Sequence, residues 1–292
     1  MHRIRVYVDT SVFGGTQDDE FREASSRFFR VVEKGDYVVL VSDVTYDELI
    51  PAPDAVRAVS PSLKKRLCHH LSLESERVVV VPVGMTFEPE TQTSEAKTAF
   101  KEAISEGLSA YPVVLYVGRF CPQKNLPLWL NVAAEIVKSV PDCRFILAGA
   151  GELKPHRQRQ AADLGLTDHV IFTGTVAYQE MPRLYAAADL FLLTSRYEGF
   201  GRVVVEALAS GIPAVATIST GPEDIIREGE TGYLLGPSDM HGLAGRCIAL
   251  LEAPEQRMAM GRTGQKDMRE RFDISVVVAT LIDAWASVAY KH

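Results

Sequence analysis

Two carboxylates, those of Glu198 and Glu206, stand eight positions apart in the run EGFGRVVVE. Between them lies a glycine-punctuated loop, Gly199, Phe200 and Gly201, which is followed by three valines. The backbone N–H groups of such a loop, at the start of a helix, can closely approach an anion. The two carboxylates cannot bind phosphate, but they can accept hydrogen bonds from sugar or ribose hydroxyls. The run therefore predicts a site for a phosphorylated sugar compound.

Two cations follow an upstream apolar segment. Gly118 and Arg119 come directly after the segment VVLYV, and Lys124 lies five residues beyond Arg119. A guanidinium and an ammonium at the end of a strand can neutralise a diphosphate, the first as a planar fork and the second as a point charge. Lys124 as a solvated surface lysine is the alternative interpretation.

Two further glycine loops follow other apolar segments. Gly149 opens the sequence GAGE, and Gly174 and Val176 belong to TGTV, whose backbone could hydrogen-bond the edge of a base. A plain strand-to-helix turn is the alternative for GAGE. Glu206 could likewise act only as a favourable charge near a helix start, and we expect Arg202 to be a surface residue.

Apolar segments alternate with helical patterns along most of the chain. Strands are predicted at 4–8, 37–41, 77–81, 113–117, 144–148, 170–173, 190–193, 213–217 and 232–235. Helices are predicted between them, and residues 88–98 read as a polar linker. This alternation predicts an α/β fold with a Rossmann-like, doubly wound parallel sheet. Ligands of such sheets bind at the carboxyl ends of the strands, where the glycines and carboxylates fall.

Composition narrows the function classes. The chain has 292 residues and a net charge of −7, which argues against a broad nucleic-acid-binding surface. Its four cysteines are scattered without metal-ligand spacing, as expected of free thiols in a reducing cytoplasm. We find no signal peptide and no apolar run of the ~18 residues that span a membrane. A cytoplasmic protein is expected, with peripheral contact at the inner face of the membrane and self-association left open.

Taken in order, these segments resemble the donor-binding half of retaining glycosyltransferases of family 4, which have the two-Rossmann GT-B fold. The resemblance runs from about Ala58 to the C-terminus and is carried by the segments YVGRFCPQKN, RFILAGAGEL, VIFTGTV, LYAAADLFLLTSRYEGFGRVVVEALASGIPAVA, TGPEDII and EGETGYLL. It implies a nucleotide-sugar donor (a UDP-, GDP- or ADP-sugar) and an acceptor that could be a sugar, a lipid or a small molecule.

The resemblance also implies residue roles. Glu206 would bind the ribose hydroxyls and Glu198 the hydroxyls of the donor sugar near the reaction centre. Arg119 and Lys124 would stabilise the diphosphate leaving group, assisted by backbone amides of residues 199–201. No metal or other cofactor is expected for transfer, and the chain has no D-x-D triplet.

Residues 2–58 resemble something else, the start of a PIN-domain nuclease, on the segments RVYVDTSVFGG and FFRVVEKGDYVVLVSDVTYDELIPAPDAV. That resemblance implies a metal site with Asp9 and Glu48 as ligands of Mg²⁺ or Mn²⁺, and hence a metal-dependent ribonuclease as the alternative function. The alternative to metal binding is structural: Asp9 would be a strand-end residue and Glu48 a solvated helix residue. A non-catalytic nucleotide-sugar-binding protein is a third hypothesis.

The predicted organisation has four parts. They are a PIN-like fragment (1–57), a remnant of the GT-B N-terminal domain with a linker (58–109), a nucleotide-sugar-binding Rossmann domain (110–275) and a C-terminal crossover helix (276–292). Because most of the acceptor domain has no counterpart, we expect donor binding to survive better than catalysis. We also expect an exposed apolar face on the last helix. The two resemblances meet near residues 52–60. The sequence is compatible there with a natural fusion, an assembly artefact or an engineered chimera.

Overall fold

The computed structural model describes residues 4–8, 37–41, 56–70, 74–85, 88–90 and 93–289. Its strands, in chain order, are β1 (Ile4–Val8), β2 (Tyr37–Val41), β3 (Val56–Ala58), β4 (Val78–Val80), β5 (Val113–Val117), β6 (Arg144–Ala148), β7 (Val170–Gly174), β8 (Leu190–Leu193), β9 (Ala214–Thr217) and β10 (Gly232–Leu235).

Helices connect most of these strands and close the chain. In order they are α1 (Pro61–His70), α2 (Ser94–Ile104), α3 (Leu126–Ser139), α4 (Lys154–Asp163), α5 (Met181–Ala186), α6 (Arg202–Ala209), α7 (Pro222–Ile225), α8 (Met240–Glu252), α9 (Pro254–Phe272) and α10 (Ile274–Ala289). The chain divides into two compact units. The first contains 1–85, 197–200 and 271–292, and the second contains 86–196 and 201–270.

The second unit is built on one six-stranded parallel sheet. Its strand order is β10-β9-β8-β5-β6-β7, and every neighbouring pair is parallel. The predicted Rossmann-like, doubly wound α/β fold is therefore confirmed. The central strands are apolar throughout, because helices cover both faces of such a sheet. All four residues of β8 are fully buried, as are the first four of β5.

The order of the strands creates a switch point between β5 and β8. From β5 the chain continues to β6 and β7 on one side of the sheet, and from β8 it continues to β9 and β10 on the other. Loops that leave adjacent strands in opposite directions open a crevice at their carboxyl ends, which is where open α/β sheets bind ligands. The predicted site residues that follow β5 and β8 therefore lie at the carboxyl ends of the two strands that flank the switch point.

One sequence prediction is wrong in part. Residues 94–98, predicted as linker, form the first turns of α2, whose N-terminus is capped by Thr93. The Thr93 hydroxyl accepts a hydrogen bond from the Ala96 backbone N–H at 3.1 Å. A capping threonine before a segment that mixes charged and apolar residues indicates the start of a helix. The polar composition of residues 88–98 favoured a linker instead. The other predicted strand boundaries agree with the structure to within one residue.

The first unit holds two small parallel pairs, β1 with β2 and β3 with β4. Near its C-terminus the Ile274 side chain packs so close to Gly84 that an added Cβ would lie 2.6 Å from it. Ile274, Val278 and Ile282, spaced four residues apart on one face of α10, are exposed large apolar residues, which fits the apolar face expected of this helix. Whether that face mediates self-association stays a prediction. No helix of the described residues is both long enough and apolar enough to cross a membrane.

Candidate functional site

The loops that follow β5, β6 and β7 are hydrogen-bonded to one another in a continuous layer. The Gly118 N–H donates to the Ala148 carbonyl at 3.0 Å, and the Gly149 N–H donates to the Gly174 carbonyl at 2.8 Å. Three of the predicted site glycines therefore meet at the carboxyl edge of the sheet.

Glycine is required where the loops cross. Gly149 has φ +141°, and a Cβ there would lie 1.9 Å from the Gly118 carbonyl oxygen. Gly151 has φ +154°, and its Cβ would lie 2.5 Å from the Phe120 carbonyl oxygen. No side chain fits such distances, so the GAGE sequence serves close loop packing as well as any approach of a ligand.

The two predicted cations lie on the loop between β5 and α3. Arg119 is exposed, and its carbonyl accepts a hydrogen bond from the Tyr116 hydroxyl at 2.9 Å. Lys124 is half-buried and closes a short 3-10 turn, Pro122–Lys124, immediately before α3. The positive end of the α3 dipole therefore adds to the Lys124 charge at this point, which favours an anion.

The end of β8 is fastened to this same loop. The Thr194 hydroxyl donates to the Lys124 carbonyl at 3.2 Å, and the Arg196 N–H donates to the Gln123 carbonyl at 2.9 Å. The two loops that leave the switch point are thus joined through Lys124 and its neighbour. The structure brings Lys124 to the crevice that the strand order creates.

Glu206 is buried on α6 and is hydrogen-bonded by two side chains. Its Oε2 accepts from the Tyr185 hydroxyl and its Oε1 from the Arg202 Nε, both at 2.9 Å. Burial raises the pKa of Glu206, and the Arg202 charge and the Tyr185 hydrogen bond oppose that rise. Burial and the adjacent carboxylate in turn raise the pKa of Tyr185 well above its ordinary value.

The Arg202 side chain is 40% exposed, as expected of a surface residue, but it also contacts two other side chains. It is half-buried and forms an ion pair with Glu206, and its Nη2 donates to the Tyr178 hydroxyl at 2.8 Å. Tyr178 opens the turn Tyr178–Glu180, which follows Gly174 and Val176 at the end of β7. The spacing of Arg202 and Glu206 along a helix, four residues, is the signal that could have revealed the pair.

Lys154 lies beside the loop at Gly174, a position that sequence reasoning missed. It begins α4, and its Nζ lies 3.7 Å from the position that a Cβ on Gly174 would occupy. An ammonium group therefore stands over the loop that also carries Val176, which is half-buried. A lysine two residues after GAGE carries no recognisable sequence signal of this placement.

Glu198, Gly199 and Phe200 belong to the first unit. Glu198 is buried, and Phe200 packs edge-on against Phe272 with ring centroids 5.6 Å apart. Gly201, in the second unit, caps the N-terminus of α6 with φ +88°, a left-handed conformation that favours glycine. The pairing of Glu198 with the cations of the second unit is part of the proposal below.

The nuclease metal site cannot be located, because Asp9 and Glu48 lie outside the described residues. Within the described part of the chain, no group of three or more His, Cys, Asp or Glu side chains is arranged to hold a metal ion.

Comparison with known proteins assigns the family. The family model for "Glycosyl transferases group 1" matches residues 99–267. Alpha-D-kanosaminyltransferase of Streptomyces kanamyceticus is 30% identical over 62% of this chain and 49% of its own length. A GDP-mannose-dependent alpha-(1-6)-phosphatidylinositol monomannoside mannosyltransferase of Mycolicibacterium smegmatis is 31% identical over 63% of this chain and 50% of its own length. The chain thus spans about half the length of these curated relatives.

Solved structures agree on the fold. HepE of Anabaena in complex with UDP-glucose has a TM-score of 0.73 at 20% identity, covering 97% of this chain and 78% of that one. Sucrose-phosphate synthase of Thermosynechococcus elongatus has a TM-score of 0.71 at 20% identity, covering 99% of this chain and 74% of that one. With a family model that matches more than half of its residues, this chain belongs to the group 1 glycosyl transferases.

Proposed function

We propose that this chain binds a nucleoside diphosphate sugar at the carboxyl ends of β5 to β8 and serves a retaining glycosyl transfer. The observation that carries the proposal is the convergence at the switch point: Lys124, the start of α3 and the layer of glycine loops meet there. A site with cations and backbone donors on one side and a carboxylate that can accept hydroxyls on the other suits this class of ligand. We also keep residues 110–275 as the proposed donor-binding domain.

The diphosphate would lie against the loop between β5 and α3. When the bond between sugar and phosphate breaks, negative charge develops on the diphosphate oxygens. Lys124, Arg119 and the N-terminus of α3 would stabilise that charge, since a preorganised cation or helix N-terminus needs no reorganisation to do so. This is electrostatic stabilisation of a leaving group, which needs neither a covalent nucleophile nor a metal ligand from these residues.

The hydroxyl groups of the donor would be bound by the two carboxylates. Glu206 would accept hydrogen bonds from the ribose and Glu198 from the donor sugar, while the backbone amides of 199–201 would assist at the diphosphate. Glu206 has the capacity for this role: each of its oxygens accepts one described hydrogen bond, whereas a carboxylate has about four acceptor positions. The base would lie near Gly174 and Val176.

The donor and acceptor classes follow the relatives. One curated relative is named as GDP-mannose-dependent, and HepE was crystallised with UDP and with UDP-glucose. We therefore propose a UDP- or GDP-sugar before an ADP-sugar. A sugar, lipid or small-molecule acceptor is proposed because the relatives' names include phosphatidylinositol monomannoside and 2-deoxystreptamine. The ribonuclease alternative rests on Asp9 and Glu48, and nothing in the described residues supports it.

Isothermal titration calorimetry with UDP, GDP and ADP, and with a hexose conjugate of each, tests the proposal. At least one diphosphate should bind to the wild type with micromolar affinity, on the order of −8 kcal/mol. Lys138→Met provides the control, since Lys138 is an exposed residue that pairs only locally with Glu135. Failure of the wild type to bind any of the six ligands would overturn the proposal. Binding without turnover would retain donor binding and reject transfer by this chain alone.

A further inference from the structure

We propose that Arg202 is a positioning residue for nucleotide recognition: with Tyr178 and Tyr185 it orients the Glu206 carboxylate towards ribose hydroxyls and so gives the site its preference for ribose over 2′-deoxyribose. The inference rests on the proposed function, because it assumes that a nucleotide occupies the crevice. It adds a residue and a selectivity that the family assignment does not supply.

The orientation of the Glu206 carboxylate is set from two helices. Tyr185 of α5 donates to Oε2, and Arg202 of α6 donates to Oε1, each at 2.9 Å. With one donor on each oxygen, the plane of the carboxylate cannot rotate without breaking a hydrogen bond. One acceptor position on each oxygen is left, which matches the two neighbouring hydroxyls of a ribose.

Arg202 is itself oriented by Tyr178. The Arg202 Nη2 donates to the Tyr178 hydroxyl at 2.8 Å, and the guanidinium carbon lies 5.2 Å from the centre of the ring. Tyr178 is 43% exposed and stands two residues beyond Val176. The hydrogen-bonded chain thus runs from α5 through α6 to the loop that would hold the base, and it links recognition of the base to recognition of the ribose.

A purely structural role explains Arg202 poorly. Arg202 is the first residue of α6, where the positive end of the helix dipole disfavours a cation. The order of the pair, with the cation before the carboxylate, is also the weaker one for stabilising a helix. An arginine in this position destabilises the helix, because its charge is repelled by the positive end of the helix dipole. The contacts with Glu206 and Tyr178 compensate for that repulsion.

The pH dependence of binding follows from the same contacts. The charged and titratable groups that face Glu206 are Arg202 from its own helix and Tyr185 from α5, and Tyr178 reaches it through Arg202. The Arg202 charge lowers the pKa of Glu206 against the effect of burial. Without it, Glu206 should take up a proton at a higher pH and lose acceptor capacity there.

The test compares ribose with 2′-deoxyribose. Whichever of UDP, GDP and ADP binds the wild type most tightly is titrated by calorimetry beside its 2′-deoxy form, from about pH 5 to about pH 8. The proteins are the wild type, Arg202→Gln, Arg202→Lys and Arg246→Gln. Arg246 is a matched control, because it is an exposed arginine whose guanidinium lies 4.4 Å from the Tyr233 ring centre and far along the chain from the crevice. Both ligands carry the same diphosphate, so the ratio of their affinities at each pH is independent of the titration of the phosphate.

The wild type and Arg246→Gln should prefer the ribonucleotide by roughly tenfold, as expected of one charge-assisted hydrogen bond. In Arg202→Gln the ratio of ribonucleotide affinity to 2′-deoxyribonucleotide affinity should fall towards one. As the pH is lowered, the variant should also begin to lose affinity at a higher pH than the wild type does. Arg202→Lys should restore part of the ratio. An unchanged ratio in Arg202→Gln would overturn the inference while leaving the proposed function intact, whereas a wild type that binds no nucleotide would overturn the proposed function itself. A lower melting temperature with an unchanged ratio would show that Arg202 is only structural.

Discussion

Asp189 and Glu206 are both buried carboxylates of the second unit, yet they are paired very differently. Asp189 directly precedes β8, at the amino edge of the sheet, and Glu206 follows β8 on α6, beyond the carboxyl edge. Asp189 has donors on every acceptor position, whereas Glu206 accepts one described hydrogen bond on each oxygen. Unused acceptor capacity therefore distinguishes a carboxylate that is able to bind a ligand from one whose acceptor positions are all taken up by the fold.

The four partners of Asp189 come from three elements of the second unit. Its Oδ1 is bound by Lys97 Nζ at 2.9 Å and by Arg257 Nη2 at 3.5 Å. Its Oδ2 is bound by Lys101 Nζ and by the Val113 N–H, both at 2.8 Å. These contacts fasten α2 and α9 to the start of β5 and β8, so the carboxylate acts as a structural anchor.

The pKa values of the two carboxylates move in opposite directions. Burial by itself would raise the pKa of Asp189, but Lys97 and Lys101 outweigh it and hold the pKa at about 2. Burial also acts on Glu206, and there it prevails, so the pKa of Glu206 is raised. Ionised Asp189 therefore stabilises the folded state, whereas burial makes the ionised form of Glu206 costly.

The largest expected effect is that of Asp189→Ala on stability. Removal of this carboxylate leaves three cations at the amino edge of the sheet without their counter-charge, which should cost about 3–5 kcal/mol. Urea unfolding measures the loss. The double variant Asp189→Ala with Lys101→Met should recover part of it, because Lys101 is the most buried of the three cations. Equal stability of wild type and Asp189→Ala would show that the cluster is not an anchor.

Acid should remove the same stabilisation by protonating Asp189. Because the folded-state pKa of about 2 lies below the ordinary 3.8, the contribution is fully present above pH 3.8 and is lost as the pH falls towards 2. A shift of that size corresponds to about 2 kcal/mol. Stability measured as a function of pH should therefore fall less steeply in Asp189→Asn than in the wild type. Parallel curves would argue against the depressed pKa.

Gly149→Ala tests the loop layer on the other edge of the sheet. Its Cβ would lie 1.9 Å from the Gly118 carbonyl oxygen, so the loops after β5 and β6 must separate, at a cost of about 1–3 kcal/mol. Nucleotide affinity should fall with it. Gly229→Ala is the matched control, since Gly229 also has a positive φ but no atom within 4 Å of its Cβ position. If both variants lose the same stability, backbone strain rather than loop crossing is responsible.

A smaller effect is expected from Lys124→Met, and it should depend on the ligand. Affinity for a nucleoside diphosphate should fall roughly tenfold, because one charge-assisted contact is lost. Affinity for the corresponding nucleoside should not change, since it carries no phosphate. Calorimetry of both ligands, with Lys138→Met beside it, measures the difference. An equal loss for nucleoside and diphosphate would place Lys124 elsewhere than at the phosphates.

The sequence predicted that the candidate site lies at the carboxyl edge of the sheet, but it predicted few of the side-chain contacts. Strands β5, β6, β8 and β10 could be delimited from the sequence because their apolar runs end at glycine or polar residues. Helix α2 was missed at its start, because Lys97 and Lys101 look solvated in the sequence and Asp189, 88 positions beyond Lys101, reaches them only in the fold. The contact of Arg202 with Tyr178 and the position of Lys154 beside Gly174 were missed for the same reason, since each joins different elements of the fold.

The most direct test of the comparison is the dissociation constant of the tightest-binding nucleoside diphosphate, measured for Glu206→Gln and for Asp189→Asn under conditions in which both are folded. We expect Glu206→Gln to bind at least roughly tenfold more weakly than the wild type, without loss of stability, and Asp189→Asn to bind as the wild type does. Wild-type affinity in Glu206→Gln, or an equal loss in both variants, would contradict the assignment of Glu206 to the ligand and Asp189 to the fold.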